Sequence, residues 1–128
     1  MRLLIDTNAY TAYCKNNQIS LDAIQRADEI ILPLIVLAEL RAGFFSGAQG
    51  VENEAVLERF MNSPRVRVGS PDESTTYIYA RLHSYLKKQG TPIPTNDLWI
   101  AATTVHCNGI LLTFDKHFEK LPQVPRWQ

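Results

Sequence analysis

The stretch Arg2–Asn8, "RLLIDTN", decides the fold. It joins a short apolar run to a carboxylate and then to residues that start helices. A four-residue run this apolar suits a strand buried on both faces. Asp6 and Thr7 suit the start of the helix that follows, over "DTNAYTAYCKNN", with Asn16–Asn17 as its stop. The same alternation continues down the chain. "SLDAIQRA" reads as a second short helix capped by Ser20, and "EIILP" as a second buried strand ending at Pro33.

Pro33 suits the first turn of a helix running through Glu39 to about Phe45, because its missing N–H costs nothing there. "GVENEAVLERFMN" predicts an amphipathic helix with Val51, Ala55, Leu57 and Met61 near one side, and "RVRV" a short strand. "PDESTTYIYARLHSYLKKQG" predicts a long helix, acidic at its start, with Lys87 and Lys88 at its end and Gly90 as the stop. The prolines of "TPIPTNDLWIAATTVHCNG" exclude helix, after which Thr95 or Asn96 is a candidate cap and Gly109 a candidate stop. "ILLT" is a further buried strand, "FDKHFEKL" a short helix or turn, and "PQVPRWQ" an extended tail.

Strands separated by helices imply right-handed crossovers and a parallel sheet covered on both sides. The expected architecture is a three-layer α/β/α sandwich with a central, mainly parallel sheet, one domain over residues 1–128. The 128 residues, 45% hydrophobic and 20% charged, suit one globular core. No apolar run reaches the roughly 18 residues of a membrane span, and the opening apolar stretch is too short for a secretory signal. A cytoplasmic protein is expected. Cys14 and Cys107 lack metal-knuckle spacing and are expected as buried free thiols. The zero net charge removes a simple case for a basic nucleic-acid-binding protein, although metal ions can supply positive charge locally.

Glu39 lies in the greasy run "ILPLIVLAELRAGFF" with Ile35, Val36, Ala42 and Gly43 at the positions where a helix partner would sit. Its role therefore lies outside its own helix. On the sheet expected here, Asp6 follows the first strand and Asp115 follows "LLT". Asp97 opens the helix after the proline turn, and Glu39 lies in the helix after another strand. Ends of parallel strands share one edge, where open α/β folds bind ligands. Alone, each acid is explained by capping, by the helix dipole or by exposure. Four together repel one another unless a divalent cation offsets the charge. Carboxylate and water oxygens suit Mg²⁺ or Mn²⁺. Ions held this way can activate water and orient a phosphodiester for in-line attack. His83, His106 and His117 show no metal-binding spacing and are read as surface or core residues.

"LLIDTNAY", "LAELRAGF", "TNDLWIAA" and "LLTFDKHF" occur in the order and spacing of PIN-domain nucleases, and the chain resembles the VapC-type ribonuclease toxins among them. The four blocks run from Leu3 to Phe118. The resemblance implies a metal-dependent endoribonuclease that leaves 3′-hydroxyl and 5′-phosphate ends. It makes Asp6, Glu39, Asp97 and Asp115 the acidic quartet, with Asp6 and Asp97 nearest the ion and Glu39 and Asp115 completing the site directly or through water. Asn8 and Thr113 match residues that hydrogen-bond the acids.

The resemblance also implies an RNA substrate, transfer or ribosomal, a cognate antitoxin protein, and a homodimer. Gly43 could admit another backbone, and Trp99, Ile100 and Ala101 would be packing residues. Arg41 and Lys116 are candidate substrate contacts, with Arg81, Lys87 and Lys88 as an extended phosphate track. Leu34 departs from the Ser or Thr that many relatives carry after the proline. Two other readings stay open. A magnesium-dependent phosphatase would turn over small phosphomonoesters, although "DTN" lacks the second acid of the DxD signature. A non-catalytic module would bind a partner's basic tail in the acidic groove and leave RNA intact.

Overall fold

A computed structural model describes residues Met1–Gln128. The strands are β1 (Arg2–Ile5), β2 (Glu29–Pro33), β3 (Val66–Gly69) and β4 (Ile110–Leu112). They form one sheet in the order β3-β2-β1-β4, every pair parallel. Six helices flank it: α1 (Thr7–Cys14), α2 (Gln18–Arg26), α3 (Leu34–Ser46), α4 (Gly50–Met61), α5 (Glu73–Gln89) and α6 (Thr95–His106). A 3₁₀ turn spans Lys116–Lys120. The architecture is the expected α/β/α sandwich, with a wholly parallel sheet.

Consecutive residues Leu3, Leu4 and Ile5, and likewise Ile30, Ile31 and Leu32, are fully buried. Neighbouring strand residues point to opposite faces, so both faces of the sheet must be covered. Each such side chain contributes about 1.5–3 kcal/mol relative to exposure. The chain builds outward from β1 to β2 and β3, then returns to place β4 on the other side of β1. The strand order therefore reverses between β1 and β4. The crevice beyond their carboxyl ends is where this topology leaves room for a ligand.

Several local expectations are corrected. Asn17, not Ser20, caps α2; Ser20 is buried in that helix and donates to the Ala9 carbonyl at 3.2 Å. Pro94 stands at the start of α6, so Thr95 and Asn96 are already helical. Gly109 follows the helix end rather than stopping it, with Asn108 in the left-handed conformation at φ 54°. Of the proposed apolar face of α4 only Leu57 is buried, and Val51 is 84% exposed. Gly43 has open space where a Cβ would be, so no backbone approaches it. Cys14 is exposed and Cys107 half-buried. The tail lies along β4: the Leu111 N–H donates to the Pro125 carbonyl and the Trp127 N–H to the Leu111 carbonyl, both at 2.9 Å. No helix is long and apolar enough to cross a membrane.

Candidate active site

Asp6 leaves β1 and immediately caps α1, accepting from the Ala9 N–H at 2.9 Å through Oδ1. Its other oxygen accepts from the Thr113 hydroxyl, just past β4. Thr113 Oγ1 in turn accepts from the Asp115 N–H at 2.9 Å. One hydroxyl thus ties the ends of the neighbouring strands β1 and β4 together. Asp115 caps the 3₁₀ turn by accepting from the His117 N–H at 2.9 Å. The capping role and the site role do not compete, because each uses a different lone pair or oxygen.

The isolation of Glu39 within α3 is resolved by residues from other elements. Its Oε1 accepts from the Thr7 hydroxyl at 2.6 Å, and its Oε2 from the Asn96 amide at 3.3 Å. Asp6, Thr7, Asn8, Glu39, Asp97, Ile100 and Asp115 line one cavity of about 170 Å³. At about 30 Å³ per water, that volume suits an ion with a few waters. Asn8 lines the cavity but bonds none of the acids, because as the second residue of α1 it is turned to solvent.

The electrostatics are those of negative charge without a counterion. Burial pushes the Asp6 carboxyl up from 3.8 to about 6 against its two hydrogen bonds, and the charges of Asp115 and Asp97 add to the rise. Burial also raises Asp97, with Asp115 and Glu39 contributing and His117 opposing. A divalent cation would offset this strain, and the oxygen-rich donors suit one. The ligand atoms of Asp97, Asp115 and His117 lie within 4.8 Å of one another.

His117 corrects the reading of the three histidines. Its Nδ1 is 2.7 Å from Asp97 Oδ2 and 3.1 Å from Asp115 Oδ1. No motif spacing signals this contact; the only clue in the chain is that His117 lies two residues from Asp115. Thr7 and Asn96, which the sequence marks only as helix-start residues, likewise reach the site by bonding Glu39. His83 stacks with Tyr79, and His106 faces Asp72 at 3.4 Å.

Of the candidate basic residues, Arg41 points to α4 and pairs with both carboxylate oxygens of Glu54 at 3.1 Å, outside the acidic cavity. Lys116 is exposed beside Asp115, and Arg81, Lys87 and Lys88 are exposed along α5. Trp99 packs against Tyr79 with ring centroids 4.3 Å apart, as a packing residue would. Leu34 is not part of the cavity wall.

Comparison with known proteins places this geometry in context. The PIN domain family model matches residues 3–124. Ribonuclease VapC1 of Haemophilus influenzae (strain R2866) is 32% identical over 133 residues, spanning 100% of this chain and 97% of that protein. The solved structure of VapBC-1 from nontypeable Haemophilus influenzae superposes with a TM-score of 0.86 at 30% identity, covering 98% of this chain and 96% of that one. VapBC-5 from Mycobacterium tuberculosis, described as a member of the VapBC family of toxin-antitoxin systems, gives a TM-score of 0.77 at 26% identity. That match covers 97% of this chain and 93% of its own.

Proposed function

The chain belongs to the PIN domain family, among the ribonucleases of the VapC type, and we propose that it is a toxin cutting RNA with a divalent ion held in its acidic cavity. The observation that carries this reading is the convergence of Asp6, Glu39, Asp97 and Asp115 on one cavity at the strand-order reversal. Asp6 and Asp97 would hold the ion, with Glu39 and Asp115 completing its surroundings directly or through water. When bound, Mg²⁺ or Mn²⁺ supplies positive charge that admits a phosphodiester to an acidic pocket and favours ionisation of water.

The protein's own part is positioning. Thr113 fixes Asp6, while Thr7 and Asn96 fix Glu39, so that the carboxylates do not reorganise during reaction. Asn8 stands at the rim of the cavity without bonding the acids. Lys116 is the proposed phosphate contact, whereas Arg41 is committed to Glu54. Cleavage would leave 3′-hydroxyl and 5′-phosphate ends on a transfer or ribosomal RNA. A cognate antitoxin would silence the enzyme by covering the cavity, and the active form would be a homodimer.

Purified protein incubated with total RNA and Mn²⁺ or Mg²⁺ is expected to cut it, and chelation to stop it. Asp97→Asn should slow cleavage by more than about 100-fold, beyond the loss typical of outer contacts to a metal site. A variant as fast as the wild type would refute the mechanism.

A further inference from the structure

We propose that His117 supplies a nitrogen ligand beside Asp97 and Asp115, so that the site prefers Mn²⁺ to Mg²⁺. The inference rests on the metal-dependent reading above and specifies its ion.

Metal–ligand bonds of about 2.1 Å at right angles put adjacent ligand atoms about 3.0 Å apart. The spacings from His117 Nδ1 to Asp97 Oδ2 and Asp115 Oδ1, 2.7 and 3.1 Å, bracket that octahedral edge. All three ligand atoms fall within 4.8 Å of one another, so one ion can meet them together. The ring is also anchored where a ligand needs anchoring. The His117 N–H donates to Asp115 Oδ1, and the next residue, Phe118, is fully buried. Ring and carboxylate therefore belong to one short, pinned turn.

In the tautomer with its proton on Nε2, Nδ1 turns a lone pair toward the two acids. An all-oxygen set suits Mg²⁺, whereas imidazole draws affinity toward first-row transition ions. The competing role is a positioning one, in which Nδ1–H only donates to Asp97. The two roles differ in whether the nitrogen touches the ion.

Pulsed electron paramagnetic resonance on Mn²⁺ bound to the full chain reads that contact directly. The wild type should show ¹⁴N coupling from a coordinated imidazole, and His117→Ala should lose it. Calorimetric titration should show the ratio of Mn²⁺ to Mg²⁺ affinity falling about ten-fold in the variant. His117→Asn, which keeps a polar side chain, should retain the fold by thermal melting and also lose the coupling. Mn²⁺ bound to the wild type without ¹⁴N coupling would overturn the ligand role and leave the ribonuclease reading intact. Failure of the wild type to bind either ion would overturn both.

Discussion

Asp6 is only 4% exposed, yet it must be charged to hold a cation. Its folded pKa of about 6 lies above the ordinary 3.8, so the folded chain binds this proton more tightly than the unfolded one. The stability it contributes is fully present below about pH 4 and is lost as pH rises through about 6. At neutral pH the loss amounts to at most about 3 kcal/mol. In urea unfolding with chelator present, Asp6→Asn should therefore gain about 2–3 kcal/mol on the wild type between pH 4 and pH 7, while RNA cleavage is abolished. Glu39 makes a second residue-scale prediction. Thr7→Val removes the hydroxyl it accepts from; cleavage should fall about 10- to 100-fold, with the urea midpoint moving by no more than about 1 kcal/mol. The chain announces that Glu39 needs a distant partner, because its own helix offers none. It does not announce which, since Thr7 and Asn96 lie 32 and 57 residues away and look like ordinary helix-start residues.

Among the elements, the strands and the acidic ends were legible because continuous apolar runs have few other uses in a parallel sheet. The long α5 is legible from its acidic start and basic end, and Gly90 ends it in the left-handed conformation at φ 76°. Caps were less so. Asn17 and Ser20 both suit a cap, and the choice turned on a buried hydrogen bond from Ser20 to α1 that no local pattern encodes. Hydrophobic spacing does not say which side of α4 meets the core, and most of the face it marks points outward. Gly109 does not stop the helix, but its need for a missing side chain is real. A Cβ there would lie 2.4 Å from Leu4 Cδ1 and 3.2 Å from the Arg2 carbonyl oxygen. Gly109→Ala should cost about 1–3 kcal/mol in denaturant unfolding through overpacking against β1.

For the molecule as a whole, the edge at β4 is closed by the tail through two backbone hydrogen bonds to Leu111. Removing Pro125–Gln128 should lower stability by about 1–3 kcal/mol and expose an edge open to intermolecular pairing, seen as increased light scattering on warming. By contrast Phe45, 92% exposed, carries little of the fold; Phe45→Ser should shift stability by less than about 0.5 kcal/mol. The position of β4 against β1 has a further effect during synthesis. Thr113, which holds Asp6, lies 107 residues further along the chain and so leaves the ribosome well after it, as does Asp115. A chain made only as far as β3 lacks Thr113 and Asp115, so the proposed acidic cavity cannot close until β4 has emerged. A frameshift anywhere before that strand would yield a fragment without the proposed cavity.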